Sequence, residues 1–252
     1  MIEFKNVSKS FDGGKSFSLR EISLSVPKGK VLALLGTSGS GKSTLIRMVN
    51  KLIEPTTGEI FIDNRPISSA NSIELRRQIG YVVQDNSLFP HLSAKENVAL
   101  PLKIHGIPKF EHQKRIDEML KFVGLEPDQI GNRYPDELSG GQQQRVNVAR
   151  ALIHSPNFLL MDEPFGALDP ITRNTLQSDF LELQNQLKIT IILVTHDLPE
   201  ALRLADYVAI LSDGVLQQVG TTQEITSQPA NDFVFNLLQE AKKQKNLLEK
   251  FL

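Results

Sequence analysis

The 252-residue sequence predicts an α/β fold in which a block of helices interrupts a strand-rich chain. Three observations carry that prediction. Val31-Leu32-Ala33-Leu34-Leu35 is a continuous apolar run ending in glycine, the pattern of a strand buried on both faces. Phe158–Met161 and Ile189–Val194 repeat the pattern later in the chain. Between the first run and these two, from about Ala94 to Ile153, the apolar spacing turns helical.

Taken in order, Ile2–Val7 and Phe17–Val26 alternate apolar and polar residues in part and read as strands, with Ile60–Ile62 and Tyr81–Val83 as further candidates. A helix follows the first buried strand from Lys42 to about Lys51. Gln113–Val123 and Gln142–Ile153 are the clearest helical stretches of the inserted block. A long helix over about Thr172–Leu187 separates the two later buried strands. Tyr207–Leu211 and Val215–Val219 form a hairpin around Asp213-Gly214, a pair suited to a turn with two positive φ angles. Asn231–Leu252 is amphipathic, and its apolar positions (Phe233, Leu237, Leu238, Leu247, Leu248, Phe251) are expected to pack on the parent domain. No internal repeat or low-complexity tract divides the chain, so the helical block reads as an inserted subdomain.

Composition excludes several chemistries. The absence of cysteine removes disulfides, thiolate zinc sites, iron–sulfur clusters and cysteine nucleophiles. Twenty-eight Lys+Arg against 29 Asp+Glu gives a net charge of -1, so no broad field draws the chain to nucleic acid or anionic lipid. The start, Met1-Ile2-Glu3-Phe4-Lys5, lacks a basic segment followed by an apolar one, and no apolar run approaches the ~20 residues of a spanning helix. The expectation is a chain on the cytoplasmic side that reaches a membrane by docking on something that crosses it.

Gly36-Thr37-Ser38-Gly39-Ser40-Gly41-Lys42-Ser43, with Thr44 next, fits the Walker A pattern between a buried strand and a helix. A triphosphate packs several charges into a small volume. Glycines let successive backbone N–H groups converge on it, and the helix N-terminus adds partial positive charge. Lys42 then bridges the β- and γ-phosphates of a nucleoside triphosphate, and the Ser43 hydroxyl ligates Mg2+. The expected core is that of a P-loop nucleoside triphosphatase.

Phe158-Leu159-Leu160-Met161-Asp162-Glu163 is an apolar strand ending in two carboxylates, the Walker B arrangement. Ligands of open α/β sheets sit beyond the carboxyl ends of strands, so Asp162 is expected to hold Mg2+, largely through water. Glu163, facing the other way along the strand, is placed to polarise a water for attack on the γ-phosphate. His196 ends another buried strand and is a candidate hydrogen-bond partner of that phosphate, whereas His91, His105, His112 and His154 have no such placement. Leu138-Ser139-Gly140-Gly141-Gln142 is a second phosphate-binding device, with a hydroxyl and two glycines at a helix start.

Together, Walker A, Gln84 after Tyr81-Val82-Val83, Leu138–Gln142, Walker B, Ala167-Leu168-Asp169 and His196 resemble the ATPase subunit of an ATP-binding cassette (ABC) transporter. The resemblance covers about residues 1–228, an ATPase domain with an N-terminal antiparallel β subdomain and a helical subdomain inserted at about 86–156; residues 229–252 are then a C-terminal helical tail. It implies that two copies pair head to tail, so that Ser139, Gly140, Gly141 and Gln142 of one chain complete the γ-phosphate site of the other. It further implies that Gln84 contacts Mg2+ and the water, that Asp169 links the two composite sites, and that Phe11 stacks on adenine. With γ-phosphate present the closed dimer is favoured, and hydrolysis opens it. The helical insertion is expected to grip a transmembrane permease near Gln84 and Asn86–Leu100.

Asp162–Arg173 and Leu88-Phe89-Pro90-His91-Leu92 are similar to the glycine betaine/carnitine/choline (osmoprotectant) importers, whose permease and external binding protein are separate chains. Many of those ATPases carry a pair of regulatory (CBS) domains that these 252 residues do not include, which leaves open a form without them or a different cargo. An importer for another small solute and an exporter subunit are the nearer alternatives. The ABC ATPases of DNA repair and translation usually need coiled-coil insertions, zinc fingers or two cassettes, and none fits here.

Overall fold

A computed structural model describes residues 1–84, 88–166 and 168–249, with side chains described to residue 243. Residue 86, where the helical insertion is expected to begin, lies outside the described residues, as do Ala167 and the side chains of Leu247, Leu248 and Phe251. In chain order the elements are β1 (Ile2–Lys9), β2 (Leu19–Val26), β3 (Val31–Gly36), α1 (Lys42–Val49), β4 (Thr57–Ile62), β5 (Arg65–Pro66), α2 (Ser72–Arg77) and β6 (Ile79–Val82). Helices α3 (Ala94–Ile104), α4 (Lys109–Phe122), α5 (Pro127–Ile130) and α6 (Gly140–Leu152) follow. The chain continues through β7 (Phe158–Asp162), α7 (Pro170–Leu187), β8 (Thr190–Thr195), α8 (Leu198–Leu204), β9 (Tyr207–Ser212), β10 (Val215–Thr221), α9 (Thr222–Ser227) and α10 (Asp232–Glu249). The chain divides into two compact units, Met1–Ser72 with Thr190–Leu252, and Ile73–Ile189.

In the first unit, β2-β1-β4-β5 form an antiparallel sheet, and β3 lies between two parallel neighbours in the order β10-β9-β3-β8. Every residue of β3 is buried, as its unbroken apolar run predicts. Each such leucine or valine contributes about 1.5–3 kcal/mol through removal from water. Ala33 and Leu35 share an apolar cluster with Leu198 and Ala201 of α8, Ile225 of α9, and Val234 and Leu238 of α10. The tail helix therefore packs on the unit that carries the β3 loop. The β9–β10 hairpin turns at Asp213 (φ 50) and Gly214 (φ 74), the paired left-handed residues its sequence calls for.

In the second unit β6 and β7 run parallel, with Val82 opposite Met161. Helices α3, α4 and α6 bury one cluster that includes Val98, Leu102, Leu120 and Val146. Helix α3 starts at a capping box: Ser93 Oγ accepts from the Glu96 N–H at 3.3 Å, and Glu96 Oε2 accepts from the Ser93 N–H at 2.8 Å. The segment before it is tied down by Asn97, which is fully buried, accepts from the Phe89 N–H at 2.8 Å and donates to the Leu92 carbonyl at 2.9 Å.

Candidate functional site

In the first unit, the buried strand β3 delivers the chain into the loop 37–41, and α1 begins at Lys42. Gly41 sits at φ +97, and a Cβ there would lie 2.5 Å from Leu19 Cδ2 and 2.8 Å from the Ser18 carbonyl oxygen. Only glycine fits. Thr37, Ser38 and Gly39 are exposed at the loop tip, Ser40 is buried, and Ser43 and Thr44 are half-buried in the first turn of α1. Lys42 is 5% exposed, and its Nζ donates to the carbonyls of Gly36 and Thr37, each at 2.8 Å. The first turn of α1 holds no acidic residue, and Gly41 makes no side-chain cap, so the helix does not neutralise its own positive end.

His196 leaves β8 at the edge where Gly36 leaves β3, because Leu35 pairs with Thr195. It is exposed, and the turn after it is fixed by Asp197, whose carboxylate caps α8 by accepting from the Glu200 N–H at 3.0 Å. Phe11 is 66% exposed in the loop after β1, with Lys9 Nζ 5.0 Å from its ring centroid. A network missed in the sequence reading holds that loop. Asp12 accepts from the Ser16 hydroxyl at 2.6 Å, the Ser16 N–H at 2.9 Å and the Ser10 hydroxyl at 2.8 Å. Those bonds, Ser16's first, keep the Asp12 carboxyl far below the usual carboxylate range. The spacing Ser10-x-Asp12-x-x-x-Ser16 was the available signal, since short side chains of this kind close turns.

In the second unit, the parallel register sets the geometry. Two residues beyond the Val82–Met161 pair stand Gln84 and Glu163, and Gln84 Nε2 donates to Glu163 Oε2 at 3.3 Å. Asp162, the last residue of β7, is fully buried. Glu163 corrects the expectation of strand alternation: β7 ends one residue earlier, and Glu163 is left-handed at φ 48. Its direction is therefore set by a turn, at a backbone cost of about 1–3 kcal/mol for a non-glycine residue.

Ser139 caps α6 in a reciprocal pair with Gln142: its Oγ accepts from the Gln142 N–H at 3.3 Å, and Gln142 Oε1 accepts from the Ser139 N–H at 3.0 Å. The two glycines differ. Gly140 is exposed, with nothing within 4 Å of where a Cβ would stand, whereas Gly141 is buried with Thr172 Cγ2 2.5 Å from that position. Asp169 caps α7, accepting from the N–H groups of Ile171 and Thr172 at 3.1 Å each. Bonds from the Thr172 side chain, then its backbone, hold the Asp169 carboxyl below the usual range. The α6 and α7 starts thus meet at Gly141 and Thr172.

Among the described residues no cluster of three or more His, Cys, Asp or Glu forms a metal cage. The donors expected for Mg2+ are a hydroxyl (Ser43), a carboxylate (Asp162) and an amide oxygen (Gln84). This set of hard oxygens fits an ion that keeps several waters and takes the rest of its shell from one or two protein groups and a substrate phosphate.

A match to the ABC transporter family runs over residues 19–166, more than half of the chain. A glycine betaine/carnitine/choline transport ATP-binding protein of Bacillus subtilis (strain 168) is 49% identical over 234 residues, 93% of this chain and 61% of the relative. A glycine betaine uptake system ATP-binding protein of Escherichia coli (strain K12) is 46% identical over 234 residues, 93% of this chain and 75% of the relative. The chain thus spans about three-fifths of the length of the Bacillus relative. A solved dimeric ATP-binding cassette in a post-hydrolysis state, bound to ADP and Pi, superposes with a TM-score of 0.80 at 35% identity, over 88% of this chain and 99% of that one. With a family match over more than half of the chain and a relative at 46% identity covered over three-quarters of its length, the chain belongs to the ABC transporter family, as one of its ATP-binding cassettes.

Proposed function

We propose that this chain is the ATP-hydrolysing motor subunit of a binding-protein-dependent importer for a quaternary amine such as glycine betaine, carnitine or choline. The observation that carries the motor reading is the pairing of Gln84 with Glu163 one residue beyond a buried Asp162, the grouping that water activation requires. The cargo reading rests on the names of the Bacillus and Escherichia relatives.

Gly36, Thr37, Ser38, Gly39, Ser40 and Gly41 wrap the phosphates with backbone N–H groups. Lys42 moves its ammonium from two carbonyls to the β- and γ-phosphates. Phe11 stacks on the adenine, in a loop the Asp12 network has already ordered, so less conformational entropy is lost on binding. Ser43, Asp162 and Gln84 hold Mg2+, which when bound neutralises charge on the phosphate oxygens. Glu163 takes a proton from the attacking water, Gln84 orients that carboxylate, and His196 donates to the γ-phosphate. Ser139, Gly140, Gly141 and Gln142 act on the γ-phosphate of a second copy, and Asp169 joins the two centres. ATP therefore drives dimerisation, and its loss releases the pair. None of the described helices is long and apolar enough to cross a membrane, and the stroke passes to a transmembrane permease fed by an external binding protein.

Glu163→Gln tests both parts. The variant is expected to keep ATP binding, to hydrolyse roughly 100-fold or more slowly because only the general base is lost, and to elute as an ATP-dependent dimer on size-exclusion chromatography. Cells in which it replaces the native chain are expected to lose uptake of labelled glycine betaine after an osmotic upshift. Hydrolysis at the native rate would remove Glu163 from the reaction, and undiminished uptake would remove this cargo.

A further inference from the structure

Helices α6 and α7 begin at two turns proposed to face a second copy, Ser139–Gln142 and Asp169. Further along the helices, Arg145 joins them. Its Nη1 lies 2.8 Å from Asp179 Oδ2 on α7 and donates at 2.7 Å to the carbonyl of Val123, where α4 ends. The pair is largely withdrawn from water, with the Arg145 side chain 14% exposed and that of Asp179 39%. Gly124 makes the room: it is left-handed at φ +70, and a Cβ there would fall on Arg145 Nη1. Arg145 stands one turn beyond Gly141, and Asp179 two turns beyond Thr172. The ion pair therefore continues the stripe along which the two helix starts meet.

We infer that Arg145 is a positioning residue: by clasping α7 and the end of α4, it sets the register of α6 on α7, so that Ser139–Gln142 and Asp169 meet a second copy as one rigid edge. The inference rests on the motor reading above, and it adds what keeps the two contributed turns in step. Apolar packing draws helices together but is non-directional. Here it also leaves slack, since a cavity of about 30 Å³ lies between the helices, lined by Val148 from α6 and Leu176, Phe180 and Leu183 from α7. A charge-assisted bond has a preferred direction and length, so it resists the sliding of one helix on the other. Its net stabilisation is small, because the water lost by the guanidinium offsets much of the attraction; specifying register is the best-attested use of such a pair. Register matters at a composite site, where a misplacement of about 1 Å can cost about 100-fold. A slip of α6 along α7 displaces Ser139 from Asp169 while leaving each turn, with its own cap, intact.

The test starts from Glu163→Gln, in which ATP is expected to hold the dimer together, and adds Asp179→Asn. Asparagine keeps an oxygen for the guanidinium and removes the charge. The dimerisation constant, read by sedimentation with ATP, is expected to weaken about tenfold, roughly threefold at each of the two composite sites. ATP binding by the single chain is expected to be unchanged. Asp179→Glu, which retains the carboxylate, is expected to keep the parent's constant. Val98→Ala, which cuts a cavity in the α3–α4–α6 cluster, is expected to lower the thermal midpoint at least as far and to leave dimerisation alone. In a Ser139→Ala background Asp179→Asn is expected to cost less than about threefold, because both changes act through the same turn. Dimerisation indifferent to Asp179→Asn, an equal loss in Asp179→Glu or in Val98→Ala, or the full loss in the Ser139→Ala background overturns the inference. A Glu163→Gln parent that stays a single chain with ATP overturns the motor reading and this inference with it, whereas a failure confined to the Asp179 variants leaves the motor reading standing.

Discussion

Gly140 and Gly141 are adjacent letters with unlike constraints. A methyl at Gly140 points into open space, and one at Gly141 meets Thr172 Cγ2 at 2.5 Å. Thr172 cannot simply rotate away, because its side chain also bonds Asp169. Gly141→Ala is therefore expected to destabilise the fold by about 1 kcal/mol net, overpacking outweighing the gain in helix propensity. Thr172→Ser, which removes the methyl and keeps the hydroxyl, should restore the urea midpoint; a destabilisation unmoved by it would mean that the contact is not the cause. The sequence announced both glycines as phosphate-facing, since a pattern of letters does not say which Cβ would collide. It likewise announced Lys42, Ser43 and Asp162, whose spacing is chemical. The left-handed turn at Glu163 was hidden because glutamate rarely adopts it, and nothing local marks the exception.

Helix starts in this chain are decided by short polar caps. Ser93, Ser139 and Thr221 each form a reciprocal box with a Glu or Gln three residues on, and Asp169 and Asp197 cap directly. At Ser139 the cap and the proposed ligand contact use the same hydroxyl. Ser139→Ala is thus expected to cost about 1 kcal/mol of stability while weakening ATP-driven dimerisation and sparing ATP binding by the single chain. Thermal midpoint, sedimentation and nucleotide titration separate the three effects, and loss of single-chain binding would show the turn acting within its own chain. Long periodic elements such as β3, α7 and α10 were legible within a few residues. The short helices α2, α5, α8 and α9 were not, because four to seven residues hold too few turns for a period to emerge. The stacking of the His105 and His154 rings, with centroids 4.6 Å apart, escaped for a different reason: the two residues are far apart in sequence, and the packing of α3 against α6 brings them together.

For the molecule as a whole, the reading of two copies completing each other's centres makes turnover a function of concentration. Phosphate release per chain is expected to fall as the protein is diluted over about a hundredfold range through its dimerisation constant. A rate per chain that stays flat throughout would mean a self-sufficient single subunit. The inserted helical block was visible as a change of period, whereas assigning β6, β7 and α7 to the same compact unit as those helices needed the contacts themselves. One further property follows from α10. Val234 and Leu238 touch the same apolar cluster as Ala33 and Leu35, and the residue after Leu35 is Gly36. The last helix is thus packed beneath the strand that leads into the phosphate loop, in a close-packed interior where a shift of one member is felt by the others. A cavity cut into α10, as by Leu238→Ala, is therefore expected to loosen the packing under β3 as well as the tail.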